Sequence, residues 1–309
     1  MIDNNWYRKP SPIYYDSLIH WPKISIVTPS YNQGEFIEDT ILSVINQNYP
    51  NLEYVIIDGE STDQTISIIK KYEDKITYWI SEKDKGQTDA INKGFKKITG
   101  EIFNWLNSDD LLAENALYTI ASHFLENKHC SCLCGREFRF FNDKIVNESF
   151  GSSIEYSIEE TLIKAHIDQP STYFKTSSIK QVFPLASELK YCMDTQLWLG
   201  YILLNGIDEI NHIEQKLVYF RYHDNSKTYK SAIFFRKELF MLLDDLYLTL
   251  ENRKSMFFKR VNLNIDIDYY QDLLIIKKNN EDSLDKLYRN SAAYFNSLKL
   301  FKPALLLSF

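Results

Sequence analysis

The chain has 309 residues, enough for one large domain or one domain with an appendage. Its apolar fraction of 44% is that of an ordinary globular protein, and a formal net charge of −7 argues against the basic surface of a nucleic-acid binder. No run approaches the roughly 20 apolar residues of a membrane span, and the opening Met-Ile-Asp-Asn-Asn lacks a signal peptide's charged start and apolar core, so the expectation is a soluble or peripheral cytoplasmic protein.

Residues 1–22 are rich in Tyr, Trp and Pro without periodicity and read as an N-terminal arm packed on the domain after it. Residues 24–27 are a short apolar burst closed by Thr28-Pro29-Ser30, the pattern of a buried parallel strand. Phe36, Ile37, Thr40, Ile41, Val44 and Ile45 recur at helical spacing and predict a helix over 35–47. A strand over 53–57 ends at Asp58-Gly59, and Asp63 is placed to cap a helix over 64–71. A strand over 76–80 and a helix over 89–98 come next, with Gly100 as the helix stop signal. A strand over 102–106 ends at Asn107-Ser108-Asp109-Asp110, and a helix is expected over 112–125. Four strand–helix alternations predict an α/β fold with a doubly wound, mostly parallel sheet, whose ligands bind beyond the carboxyl ends of the strands. The polar clusters at 28–32, 58–63, 82–85 and 107–110 all fall at such ends.

Beyond residue 130 the alternation loosens. Residues 132–141 and 216–222 read as strands, 194–204 as a helix, and from Ser231 the chain reads as helical and rich in Leu, Phe and Tyr. Cys130, Cys132 and Cys134 alternate, so a strand points all three to one face as small buried apolar groups. That spacing suits neither a zinc site nor a disulfide and fits a reducing compartment.

The first strand–helix turn, TPSYNQGE, has one glycine, so neither the dinucleotide fingerprint G-x-G-x-x-G nor a P-loop is present. Phosphate charge must then be met differently, and a divalent cation held by carboxylates is the direct alternative. Asn107–Asp110 supplies two acidic side chains at a strand end, where Mn²⁺ or Mg²⁺ would bridge carboxylate to diphosphate. The competing reading of Asp110 is a plain N-cap for the helix expected after it.

Six ordered segments carry a resemblance: VTPSYNQGEFIEDTILSVINQNYPNLEYVIIDGESTDQT (27–65), SEKDKGQTDAINKGF (81–95), GEIFNWLNSDD (100–110), DQPSTYF (168–174), CMDTQLWLGY (192–201) and RYHDNSKT (221–228). Together they resemble glycosyltransferase family 2, inverting enzymes of the GT-A fold, here of the bacterial surface-polysaccharide type. The resemblance implies an N-terminal arm at 1–22, a GT-A domain at 23–228 (nucleotide-binding half 23–112, acceptor half 113–228) and a helical C-terminal extension at 229–309.

It also implies roles. Pro29, Tyr31 and Asp58 match the base-binding positions, where a carboxylate accepts a base imide N–H and a ring stacks. Lys85 and Asp89 fall between donor sugar and diphosphate. Asn107, Ser108 and Asp109 occupy the family's Asp-x-Asp motif, with Asn in the first place, so the metal rests chiefly on Asp109, joined by Asp110 and by His223 as a late ligand. Asp194 matches the general base. A helix N-terminus favours its ionised form, which makes it a weaker base. Asp168, Gln169 and Pro170, with 137–139, are expected to border the acceptor.

The implied reaction is inverting transfer of one sugar from a nucleotide diphosphate sugar to a hydroxyl of a glycan or lipid-linked glycan; a UDP-sugar is the expected donor, while thymine and guanine offer a similar N–H and leave the base open. The alternative is a non-catalytic sugar-nucleotide-binding subunit, to which Asn107 points. Neither a Gln-x-x-Arg-Trp motif nor membrane spans are present, which favours single addition. The closing SLKLFKPALLLSF mixes Lys with Leu and Phe and reads either as a docked helix or as a peripheral membrane contact.

Overall fold

In the computed structural model, which describes residues 20–224, 226–227 and 232–250, Ile24–Ser30 forms strand β1 and is buried at every position. β2 (Leu52–Asp58), β3 (Tyr78–Ser81) and β4 (Ile102–Trp105) complete a parallel set in the order β3-β2-β1-β4. A central strand covered on both faces needs apolar side chains on both, which is why ISIV reads as a run and not as an alternation. The register places Pro29 opposite Ile57 and Ser30 opposite Asp58. The helices α1 (Ile37–Ile45), α2 (Thr65–Lys71) and α3 (Gln87–Phe95) connect these strands.

Beyond β4 the sheet becomes mixed. β5 (Leu111–Leu112), helix α4 (Ala116–Glu126), β6 (Cys132–Phe141), β7 (Lys144–Ser149), β8 (Thr172–Lys175) and β9 (Ile210–Arg221) succeed one another along the chain. β8 lies antiparallel between β4 and β6, β6 runs parallel to β9, β9 pairs antiparallel with β5, and β7 folds back onto β6. The main core joins Ile24, Ile26, Tyr54 and Ile56 of the sheet to Ile37, Ile41 and Val44 of α1 and Leu117, Ile120 and Phe124 of α4. Fully burying an aliphatic side chain of this size contributes about 1.5–3 kcal/mol.

The described residues form two compact units. One takes the chain up to Ser152 with Ile167–Lys190 and Asp208–Tyr222, and so holds the whole sheet; the other takes Ser153–His166, Tyr191–Ile207 and the residues from His223. The second unit contains α5 (Ile158–Lys164), capped by the Ser157 hydroxyl, α6 (Met193–Asn205) and α7 (Ala232–Leu250). α6 is apolar almost all round and buried along most of its length, ending where Gly206 takes a φ of 71°. The arm at 1–19 and everything from 251 on, including SLKLFKPALLLSF, lie outside the described residues. Among the described residues no helix is long and apolar enough to cross a membrane.

Several sequence expectations are corrected. Leu111 and Leu112 do not open a helix. They pair with Tyr219 and Val218 as β5, and α4 starts only at Ala116 after Asn115 in the left-handed region, so Asp110 caps no helix. α3 ends at Phe95, and Gly100 is not its stop signal. The Gly100 N–H donates to the Ser25 hydroxyl (2.9 Å), and an added Cβ would lie 2.2 Å from that oxygen. β7 escapes notice in the sequence because KIVNES is largely exposed and carries no apolar face. All four cysteines are buried free thiols.

Candidate active site

The carboxyl ends of β1, β2 and β3 are tied together through Asp58. Its Oδ1 accepts the Ser61 hydroxyl (2.6 Å), and its Oδ2 accepts the Ser61 N–H (2.9 Å) and the Ser81 hydroxyl (2.7 Å). The Asn32 N–H donates in turn to Ser61 Oγ (2.7 Å), and the Thr62 N–H to Asn32 Oδ1 (2.9 Å). The Gly34 and Thr65 N–H groups both donate to the Asp63 carboxylate, at 2.8 and 2.9 Å. Burial works to raise the Asp63 pKa, and these donors with the Thr65 hydroxyl outweigh it, so Asp63 stays more acidic than usual. Two loops are thus latched side by side by short polar side chains acting on backbone N–H groups. Asp58 is fully buried and holds the turn after β2 through the Ser61 N–H three residues on. A carboxylate offers about four acceptor directions, of which three are taken. Tyr31 is 60% exposed beside this latch, and Pro29 is buried within β1.

The next loop docks on the same ends. The Asp84 carboxylate packs on Gly59, where a Cβ would meet it at 2.8 Å, and accepts the Gly86 N–H (2.7 Å). Gly86 has a φ of 110°, a conformation L side chains rarely adopt. Lys85 is exposed with its N–H on Asp89 Oδ2 (3.2 Å), and Asp89 sits in the first turn of α3, 3.6 Å from Lys93. The Lys190 ammonium donates to the Lys85 carbonyl, which ties residue 190 to this loop.

Asn107–Asp110 is the most heavily braced segment. The Gln87 amide donates to Asn107 Oδ1 (2.8 Å), and Asn107 Nδ2 donates to Asp110 Oδ2 (3.1 Å). Asp110 Oδ1 accepts the Arg221 N–H (2.9 Å), while Arg221 Nε donates to the Asp109 carbonyl (2.8 Å) and its guanidinium lies over Phe140. The Thr40 hydroxyl reaches the Asp110 carbonyl (2.8 Å). Asp110 is 1% exposed, Ser108 is buried and Asp109 is half-buried. Burial above all, then the neighbouring Asp109 charge, pushes Asp110 well above the usual carboxylate range, against the pull of the Arg221 N–H. Two adjoining carboxylates are the oxygen donors that a hard cation prefers. Among the described residues no cluster of three or more His, Cys, Asp and Glu is arranged to hold a metal. Asp109 and Asp110 alone would supply two of the oxygen ligands that such an ion needs.

In the same unit, Arg139 is held between two carboxylates. Its Nε donates to Glu137 (2.8 Å) and a terminal nitrogen to Asp168 (3.0 Å), and Asp168 also accepts the Ser149 hydroxyl. Burial, then the charge of Asp168, pushes Glu137 up to about 7, with Arg139 pulling the other way. The expected acceptor-bordering residues are therefore joined in a buried ion network, with Gln169 donating to Asn104 Oδ1 and the Trp105 carbonyl, both at 2.7 Å.

In the second unit, Asp194 lies in the first turn of α6, half-buried, with Oδ1 accepting the Thr195 N–H (2.7 Å). Burial drives its pKa up to about 6, opposed by the Thr195 N–H and helped by the charge of Glu238. This reverses the expectation of a weakened base, because desolvation outweighs the helix N-terminus. His223 is half-buried in this unit, its carbonyl accepting the Ser226 N–H (3.0 Å). Sequence reasoning passes over Ser61, Ser81, Asp84, Gln87 and Glu238, all polar side chains whose partners are distant or lie in loops.

The profile of "Glycosyl transferase family 2" matches residues 25–183. An uncharacterised glycosyltransferase of Rickettsia typhi is 28% identical over 219 residues, 67% of this chain and 66% of the relative. The poly(ribitol-phosphate) beta-N-acetylglucosaminyltransferase TarP of Staphylococcus aureus is 29% identical over 216 residues, 62% of this chain and 65% of the relative. Both matches span slightly less than two thirds of the relative's own length. The crystal structure of S. aureus TarS 1–349 in complex with UDP superposes with a TM-score of 0.58 at 21% identity, over 77% of this chain and 68% of that one. The mannosyltransferase PcManGT from Pyrobaculum calidifontis, in complex with GDP-Man and Mn²⁺, gives 0.54 at 15% identity, over 93% and 81%. The fold is GT-A, and with the profile spanning half of its length the chain belongs to glycosyl transferase family 2.

Proposed function

We propose that this protein transfers one sugar from a nucleotide diphosphate sugar to a hydroxyl of a bacterial surface glycan or its lipid-linked precursor, with inversion at the anomeric carbon. UDP-GlcNAc is the first donor to try, since TarS has been crystallised with UDP-GlcNAc and TarP is named for N-acetylglucosaminyl transfer. The observation that carries the reading is the bracing of the strand ends. Asp58 ends β2, and Lys85 and Asn107–Asp110 stand on loops, bonded to one another or to the strands beside them, which suits a preorganised site for a charged nucleotide.

The base lies beside Tyr31 and Asp58, whose fourth acceptor direction takes its imide N–H. Lys85 meets phosphate charge, and Asp89 faces the donor sugar. Asn107 and Ser108 contact the ribose and diphosphate. Asp109 would be the principal cation ligand, with Asp110 and His223 as the further ligands that the resemblance implies. Bound Mn²⁺ or Mg²⁺ would supply positive charge to the leaving diphosphate. Asp194 removes the acceptor hydroxyl proton as that oxygen bonds to the anomeric carbon, and the bond from that carbon to the phosphate oxygen breaks with its electrons on the nucleoside diphosphate. A pKa of about 6 leaves Asp194 ionised at neutral pH yet more basic than an ordinary carboxylate. We place the reaction at the cytoplasmic side of the membrane, where such precursors are assembled.

Nucleotide release from UDP-, GDP- and dTDP-sugars, measured with Mn²⁺ and with EDTA, tests this. The expected result is metal-dependent release from a UDP-sugar, lowered about 10²–10⁴-fold in Asp194→Asn with donor affinity unchanged. Donor binding without turnover in the wild type would favour the non-catalytic binding subunit instead.

A further inference from the structure

We propose that Glu238, on α7, is a positioning residue for Asp194, fixing the start of α6 from outside the segment that the family profile matches. The proposal rests on the reading of Asp194 as the base, and it begins from a missing cap. Cys192 precedes α6 without any side-chain cap of its own, and the N–H groups of Tyr191 and Cys192, just ahead of the first turn, lie outside the helix's own ladder and need an acceptor from elsewhere. Glu238 supplies it. Its Oε2 accepts both the Tyr191 N–H (2.8 Å) and the Cys192 N–H (2.9 Å), from 47 and 46 residues away. Ionised acceptors make shorter and stronger hydrogen bonds than neutral ones.

The same turn of α7 holds the segment at two more points. The Cys192 thiol donates to the Phe235 carbonyl (3.3 Å), and the Tyr191 ring stacks on Phe234 at 5.6 Å and 10° and meets Phe235 at 5.1 Å. Asp194 is two residues beyond Cys192, with its carboxylate already turned onto its own Thr195 N–H. The clasp fixes where the base starts, and the Thr195 bond fixes how it points. A misplacement of about 1 Å at a reacting group costs on the order of 10²-fold in rate. The profile match ends at residue 183, ahead of both α6 and α7. Two further groups bear on the Asp194 carboxylate: the Glu238 charge raises its pKa, and the Cys192 thiol, itself pushed up by burial and by Asp194, stays neutral.

The test compares Glu238→Gln and Glu238→Ala with wild type and Asp194→Asn in the full chain. Release of UDP from UDP-GlcNAc with Mn²⁺ is one readout. The second needs no substrate: the carboxyl ¹³C resonance of Asp194, assigned by its loss in Asp194→Asn and titrated with pH. Gln keeps an acceptor oxygen at the same reach but carries no charge. Expected are a 10–100-fold loss of kcat in Glu238→Ala at unchanged donor KM, recovery of most of it in Glu238→Gln, and an Asp194 midpoint displaced below that of wild type in both. Protected Tyr191 and Cys192 amides in Glu238→Gln and exchanging ones in Glu238→Ala would accompany this. Wild-type kcat and midpoint in Glu238→Ala would overturn the positioning role while leaving the base intact. Full activity in Asp194→Asn would remove the base reading and this proposal with it. Equal losses in both variants with an unmoved midpoint would reduce Glu238 to a structural cap.

Discussion

Asp109 and Asp110 are adjacent carboxylates with different surroundings. Asp110 is buried with N–H donors on both oxygens, from Arg221 and Asn107, whereas Asp109 is half-buried and anchored through its carbonyl by Arg221. Removing the Asp110 carboxylate leaves those two donors without their partner, at about 1–3 kcal/mol for each buried group left unsatisfied. Asp109 is the less buried of the two. Asp110→Ala is therefore expected to lower Tm by several degrees more than Asp109→Ala, while Asp109→Ala removes the Mn²⁺ dependence of donor binding at a nearly native Tm. Thermal unfolding with and without Mn²⁺, alongside UDP titration, measures both. Should Asp109→Ala be the less stable variant and still respond to Mn²⁺, the two carboxylates have exchanged roles, with Asp110 as the cation ligand and Asp109 as the structural group.

At the scale of elements, Gly100 shows how a local pattern misleads. A glycine shortly after a helical stretch reads as a stop signal, yet this one is placed by β1. The Ser25 hydroxyl and Glu53 accept its N–H (2.9 and 3.2 Å), and the Lys23 carbonyl would lie 2.9 Å from an added Cβ. Gly100→Ala should cost about 1–3 kcal/mol through overpacking against backbone, read as a lower urea midpoint at unchanged m-value. A neutral result would mean the Lys23–Ser25 segment moves aside easily. The parallel strands β1, β2 and β4 were legible because burial on both faces favours apolar runs, whereas β3 is a half-buried edge strand. β5 was not, because two leucines beside a helical pattern carry no strand signal until Val218 and Tyr219 pair with them. In the candidate site, Asp58 and Asn107–Asp110 were legible as polar strand ends. Asp194, the proposed base, is singled out only through resemblance, since an Asp before an apolar helix is usually a cap. Glu238 left no signal at all, because its partners lie 46 and 47 residues away and are backbone N–H groups.

For the molecule as a whole, buried acids set the pH dependence of stability. Glu137, held up to about 7, and Asp194, up to about 6, both keep their protons in the folded chain at pH values where an unfolded carboxylate has lost them. The folded state then binds more protons than the unfolded one between the ordinary carboxylate value, about 4.5, and 7, so unfolding free energy falls as pH rises through that window. Glu53 and Asp63 are shifted downward, so their contributions change only at more acidic pH, with the opposite sign. The His212–Cys134 pair, with His212 raised to about 9 by its hydrogen bond to Cys134 and Cys134 brought down to about 6 by its hydrogen bonds with Cys132 and then His212 despite burial, titrates in opposing senses and largely cancels above neutrality. Tm should thus be higher at pH 5 than at pH 7, and Glu137→Gln, neutral at every pH, should narrow that difference while Arg139 keeps Asp168 as its ion partner. Calorimetry of both proteins at the two pH values measures it. A wild-type Tm that rises from pH 5 to 7, or a difference untouched by the substitution, would mean that Arg139 keeps Glu137 ionised throughout and that the buried network is a closed salt bridge, not a store of protons.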